Sequence, residues 1–196
     1  AFMITAPNGA ERWVTNESRN ITWIITGSVQ NVKLEYSNNN FVTVTTIAAS
    51  IPNTGAYTWT IPDPGIANVP IGTKIRVTDV TDSTVYDDSD ASFNMDYYYI
   101  TWEVRDLLTN APLSLLSVNE VKSSDPNFTQ WSEAGVTTNP PRVQPTPAGT
   151  WVTTWSKTGF GDVAQVVVAD SDQSFLLYME TNTVHIWLAE SRVTYD

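Results

Sequence analysis

Short runs in which apolar and polar residues alternate, separated by turn-forming clusters, constrain this chain more than any other feature. Ile21, Trp23 and Ile25 fall on one side of such a run, as do Val32, Leu34 and Tyr36, and then Tyr57, Trp59 and Ile61. A period of two places these side chains on one face of a β-strand, so each run reads as a half-buried strand. Phe41–Ile47 and Lys74–Asp79 add two more, with Phe2–Thr5 and Ser92–Met95 at the ends, about the seven strands an immunoglobulin-like sandwich needs. Asn38-Asn39-Asn40, Asn53-Thr54-Gly55 and Pro62-Asp63-Pro64-Gly65 punctuate them, because Asn, Gly and Pro supply the dihedrals of tight turns.

A new β run opens at Tyr97-Tyr98-Tyr99-Ile100-Thr101-Trp102-Glu103-Val104. Further strands are expected at Leu115–Val121, Thr150–Trp155, Val163–Ala169, Phe175–Glu180 and Thr183–Leu188, with Val193–Tyr195 as a last edge strand. Val166-Val167-Val168 is continuously apolar and reads as a central strand buried on both faces. The segment from Asn139-Pro140-Pro141 to Pro145-Thr146-Pro147 lacks backbone donors and reads as a long surface loop. Helical periodicity is missing, and Glu120–Asp125 is at most a short turn. The chain therefore reads as all-β, with two tandem β-sandwich domains, 1–95 and 96–196.

Charge narrows the partners. Ten Lys+Arg stand against twenty-one Asp+Glu, a net charge of −11, which repels a phosphate backbone or an anionic membrane surface, so no nucleic-acid partner is expected. Charged residues make up only 16% of the chain against the usual ~25%, while Thr, Ser, Asn and Val suit pleated sheets and turns. With no cysteine, disulfides, thiol nucleophiles and thiolate metal sites are excluded. No apolar run approaches the ~18 residues of a transmembrane segment. The start at Ala1 fits a processed or excised chain, and extracellular or cell-surface residence with the signal peptide already removed is the expectation.

Residues 4–95 carry ITAPNGAERWVTNESRNITW, VKLEYSNN, IAASIPNTGAYTWTIP and IRVTDVTDSTVYDDSDASFNM in that order. This series resembles the Ser/Thr-rich, cell-wall-associated domain family, whose fungal members resemble cell-wall synthesis proteins. The resemblance implies an immunoglobulin-like sandwich attached to surface or wall architecture, with no catalytic residues to carry over. In the second half, Val104-Arg105-Asp106, Asn110-Ala111-Pro112-Leu113, Pro147-Ala148-Gly149-Thr150-Trp151 and Gly159-Phe160 are similar to prealbumin-like or carboxypeptidase-regulatory-like domains, which are also small sandwiches.

Candidates for chemistry are few. His185 is the only histidine, in a strand pattern, so a multi-His metal site within one chain is impossible. The spacings G-x-S-x-G, HExxH and the P-loop are absent. Glu103, Asp106, Glu133 and Glu180 do not form a recognisable glycosidase pair. No catalytic residue is assigned, and the chain is expected not to be an enzyme. A calcium ion, which takes several oxygen ligands, is the one cofactor the acidic loops suggest, at Asp87, Asp88 and Asp90 (with Asp79 and Asp82 nearby) or at Asp170 and Asp172, but neither spacing matches an EF-hand and solvated loops are the preferred reading.

Trp13, Trp23 and Trp59 are expected in the first core. Trp131, Tyr97 and Tyr98 are the candidates for exposed aromatics that contact a protein or a polysaccharide. Trp151 and Trp155, four apart, share one face of a strand. Sequons occur at Asn16, Asn20 and Asn127, of which Asn16 and Asn127 are the better glycosylation candidates. Two functions compete: a structural or adhesive surface module that meets itself or neighbouring domains through edge strands, with Phe2, Ile4, Val193 and Tyr195 as candidate edges, and a carbohydrate-binding module using exposed aromatics.

Overall fold

The computed structural model describes residues 1–181. His185 and the edge candidates Val193 and Tyr195 lie outside the described residues, as does the strand expected at 183–188. The described chain is all-β. In order it runs β1 (Phe2–Ala6), β2 (Arg12–Val14), β3 (Ser18–Ile25), β4 (Asn31–Ser37), β5 (Thr45–Pro52), β6 (Ala56–Thr60), a 3-10 turn (Ile66–Asn68), β7 (Ile71–Asp79), β8 (Tyr86–Asp88) and β9 (Phe93–Asp96). Then come β10 (Tyr98–Asp106), β11 (Leu116–Lys122), β12 (Asp125–Val136), β13 (Arg142–Thr146), β14 (Gly149–Ser156), β15 (Val163–Ala169) and β16 (Gln173–Met179).

Two compact units emerge, interleaved in sequence. The first comprises Ala1–Ile100, Val143–Thr150 and Val168–Gln173; the second, Thr101–Arg142, Trp151–Val167 and, of the described residues, 174–181. The boundary expected between 95 and 96 is thus displaced. Two later segments join the first unit, where Ala148 N–H donates to the Thr15 carbonyl at 2.9 Å and Asp172 pairs with Arg12 at 3.0 Å.

In the first unit, one sheet has the order β1-β3-β6 and the other β2-β9-β7-β4-β5, with β8 added to β7. The alternating residues of both sheets meet in one core: Phe2, Ile4, Ile21, Trp23 and Trp59 from the first, Trp13, Val32, Leu34, Ile75, Val77, Phe93 and Met95 from the second. Large rings fill it, with Trp13 tilted against Phe93 at 5.0 Å and Trp59 at 6.3 Å. Trp23 keeps its indole N–H satisfied by donating to Asn53 Oδ1 at 2.8 Å. The strand expected at Phe41–Ile47 begins later, at Thr45, because Asn40 and Phe41 adopt left-handed φ of 55° and 62° and Ser37 and Asn39 hold the turn by side-chain bonds.

The second unit is built on the four-stranded sheet β12-β11-β14-β15, together with β16 and most of β10. Trp102, Val104, Leu116, Val118, Val136, Trp151, Trp155 and Leu177 are buried in this unit. Trp102 stacks on Phe175 at 4.9 Å and tilts against Trp155 at 5.8 Å. Three sequence expectations change here. The Pro-rich segment contains a strand, β13, which lies at a sheet edge among the described residues, where Pro145 need not donate to a ladder. Glu120 is not in a turn but in β11, buried, with Thr153 donating to its carboxylate at 2.7 Å. Val166 and Val168 are exposed and only Val167 is buried, so β15 shows one face to solvent.

Candidate functional site

The acids of the first unit carry its polar architecture, and they do so as ties between segments far apart in sequence. Ala1 and Thr26 exchange backbone hydrogen bonds, and the antiparallel register places Phe2 opposite Ile25 and Ile4 opposite Trp23. Alternation then turns the Ile4 N–H away from β3, toward the open edge. Asp87 fills that edge by accepting the Ile4 N–H at 2.7 Å. Beyond it, Asp90 Oδ2 accepts from Asn8 Nδ2 at 2.7 Å, Asp90 N–H donates to Asn8 Oδ1 at 2.7 Å, and the buried Ser89 hydroxyl donates to the Pro7 carbonyl at 2.8 Å. Residues 87–90 therefore close the rim of β1. Phe2 and Ile4, offered as assembly edges, turn their side chains into the core, and the Ile4 donor is taken.

Asp88 has a different partner. Arg76 grips it by two bonds, Nε at 2.6 Å and Nη2 at 2.8 Å, and its guanidinium lies against the rings of Phe41 (4.1 Å) and Tyr86 (4.4 Å). The fork raises the Arg76 pKa, chiefly through the Asp88 hydrogen bond. Beside it lies a shallow cleft of about 270 Å³ lined by Lys33, Glu35, Arg76, Thr78, Asp79 and Tyr86. Lys33 pairs with Glu35 at 2.6 Å, and Asp79 accepts from Thr81.

Arg12 on β2 is the densest junction. Its Nε reaches Asp96 at 3.0 Å, its Nη2 reaches Asp172 at 3.0 Å and also donates to the Tyr97 carbonyl, and the guanidinium lies 5.7 and 5.5 Å from the Tyr98 and Tyr99 rings. Burial is the largest influence on Arg12 and pulls its pKa down, but the bonds to Asp172 and Asp96 outweigh it and the net shift is upward. Asp172 answers in kind: burial pushes up, while Arg12 and the Tyr99 N–H (2.8 Å) bring its pKa below the ordinary value. Tyr97 and Tyr98 are not exposed. Both are buried, because each phenol finds a carboxylate, Tyr97 donating to Asp63 and Tyr98 to Glu17. Burial and then the Glu17 bond push Tyr98 up to about 12, and burial with Asp63 pushes Tyr97 higher still. Sequence reasoning missed Arg12, since Asp96 and Asp172 stand 84 and 160 residues away and leave no spacing to read.

The remaining candidates fall as follows. Among the described residues no three His, Cys, Asp or Glu groups converge as metal ligands. Asp87, Asp88 and Asp90 point to three separate partners, and Asp170 and Asp172 likewise diverge, to Ser171 and Gln173 on one side and Arg12 on the other. Trp131 is buried, edge-on to Trp155 at 5.4 Å, with its N–H donated to Glu133 at 3.0 Å, so it is no exposed platform for a sugar. Glu133 also pairs with Arg142 at 2.9 Å, and Glu103 with Arg105 at 2.6 Å, while Asp106 caps the turn after β10 through the Leu108 and Thr109 N–H groups. Asn16 is exposed in a left-handed turn (φ 69°), Asn20 accepts from Thr58 at 2.8 Å, and the side chain of Asn127 lies outside the described set.

Neither a protein family nor a curated relative matches the sequence. Among solved structures the chain is similar to BcpA, the major pilin subunit of Bacillus cereus (10% identity, 93% of this chain and 69% of that one, TM-score 0.45). It is similar also to the group B streptococcus pilus 2b backbone protein (12%, 93% and 98%, TM-score 0.38) and to the shaft pilin SpaA of Lactobacillus rhamnosus GG (10%, 80% and 86%, TM-score 0.31). At these identities and scores the likeness decides nothing about activity or assembly. The resemblance to the fungal-type cell-wall family has no support in these comparisons.

Proposed function

We propose that this chain is a non-catalytic structural module of an extracellular or cell-surface assembly, whose work is to hold a fold and meet copies of itself or neighbouring surface domains. The observation that carries the reading is the use of charge at Arg12. One guanidinium ties β2 to Asp96 at the end of β9 and to Asp172 in a segment from the far end of the chain. Asp87, Asp88 and Asp90 are used in the same way, each bound to a partner in another strand or loop. Carboxylates that serve as cross-ties are withdrawn from acid–base or ligand duty.

Single-molecule pulling on a polyprotein of this chain tests the reading. The first unit is expected to resist force as one cooperative step, and Arg12→Ala to lower that force. Unfolding without a resolved peak, or turnover of any substrate on a polysaccharide and peptide panel, would overturn it.

A further inference from the structure

From Tyr36 through Pro62 the chain carries no Asp, Glu, Lys, Arg or His, although the whole has a net charge of −11. That stretch contains β5 and β6, which among the described residues are edge strands of the two sheets of the first unit. The sheet edges of this unit differ in how they are protected. β1 is closed by Asp87 and the segment after it, β5 carries two bulges and ends in Pro52, and β2 has three residues. Bulges, prolines, charges and shortness are the usual devices against edge pairing. β6 has none of them. Its pairing with β3 is regular from Ser18↔Thr60 to Thr22↔Ala56.

The register also fixes which groups of β6 face outward. Trp23 N–H donates to the Gly55 carbonyl at 3.0 Å and Ile61 N–H to the Glu17 carbonyl at 2.9 Å, so odd-numbered residues bond β3. Ala56, Thr58 and Thr60 therefore turn their backbone groups outward, and all three are exposed; the Ala56 carbonyl accepts the Thr54 hydroxyl at 3.0 Å and keeps a second lone pair. We propose that β6 is the edge through which two copies of this chain pair, antiparallel, about a two-fold axis at Thr58. Thr58 then faces Thr58 of the second copy, and Ala56 faces Thr60, so that all three outward residues find hydrogen-bonded partners in one continuous sheet. Thr opposite Thr is a favourable cross-strand pair. The second copy is the occupant because the edge is self-complementary and because two molecules of like charge meet best where neither is charged. The proposal rests on the reading of the chain as an assembling module and names the contact.

Sedimentation velocity over a concentration series, with the full chain at low and moderate salt, tests it. The wild type is expected to dimerise reversibly and more tightly as salt rises, since screening relieves the general repulsion. Thr58→Pro removes an outward N–H that β3 does not use, and Thr58→Lys sets two like charges face to face; each should weaken self-association at least about ten-fold. An equimolar mixture of Thr58→Lys and Thr58→Asp should pair again, whereas Met3→Lys, exposed on β1, should behave as wild type. A wild type that stays monomeric at every salt overturns the proposal, as does a Thr58→Lys chain that dimerises normally. Neither result touches the pulling experiment, so the structural reading and this contact fail separately.

Discussion

Replacing Arg12 by Ala is the perturbation whose cost can be worked out most fully. The bond to Asp96 dominates, because that carboxylate is only 8% exposed and loses a charged donor; such a bond contributes about 1.5–3 kcal/mol. The pair with Asp172, whose side chain is 53% exposed, adds only about 0.5 kcal/mol after solvent screening. Contacts with the Tyr98 and Tyr99 rings contribute about 0.5 kcal/mol each. These contributions overlap, so the expected loss is about 3 kcal/mol, or roughly 10 °C in Tm for a unit of this size. Urea unfolding with calorimetry measures it, and double-mutant cycles divide it. Coupling of Arg12→Ala to Asp96→Asn should be about 2 kcal/mol, and to Asp172→Asn about 0.5 kcal/mol. A total loss under about 1 kcal/mol, or the reverse order of couplings, refutes the assignment of Arg12 as the principal tie.

Tyr98, pushed up to about 12, should ionise at a higher pH than an ordinary tyrosine in an ultraviolet titration, and Glu17→Gln should bring it down. Its folded pKa is raised, so its contribution is complete below the ordinary tyrosine value of about 10 and fades as pH climbs toward 12; stability that is flat across that window contradicts the Glu17 bond. Asp172 acts at the other end: its folded pKa is lowered, so its contribution holds above about pH 4 and is lost as acid protonates it, and Asp172→Asn should flatten that limb of the stability curve. Gly9→Ala should cost about 2–3 kcal/mol, since φ is +138° and the new Cβ would sit 2.7 Å from Ala91 Cβ, whereas Gly27→Ala meets open space and should cost about 1 kcal/mol; equal losses would show the close approach to be irrelevant. Millimolar calcium should leave Tm unchanged, because Asp87, Asp88 and Asp90 are already engaged by separate partners; a rise of several degrees, abolished by Asp88→Asn or Asp172→Asn, would restore a metal role to one of the acidic loops.

Most strands of the first unit were legible because one side of each meets a core. Ile21 and Trp23, or Val32 and Leu34, alternate cleanly, and the structure buries the side predicted. The second unit reads less well for a physical reason. β12 runs twelve residues with three register shifts against β11, so its buried Trp131 and Val136 never fall into a simple period. β13 hides behind its prolines, which a sheet edge tolerates and an interior strand would not.

Polar residues were the harder half, and the failure follows one rule. Trp131, beside the Pro-rich segment, and Tyr97 and Tyr98, near the expected domain junction, read as exposed from their positions, yet each is buried with a carboxylate accepting its hydrogen bond: Glu133, Asp63 and Glu17. The acids read as calcium ligands, Asp87, Asp88, Asp90 and Asp172 among them, are likewise taken by protein partners. Whether an acid is a site or a strut depends on what lies opposite it in space, and at Arg12 the answer comes from positions 96 and 172 together. The reverse holds at β6, where a segment without charge turns the backbone groups of Ala56, Thr58 and Thr60 outward and no carboxylate among the described residues meets them. In an acidic chain, the tied regions resist a second copy and the untied one admits it, so cohesion of the fold and the choice of contact are two consequences of where the carboxylates fall.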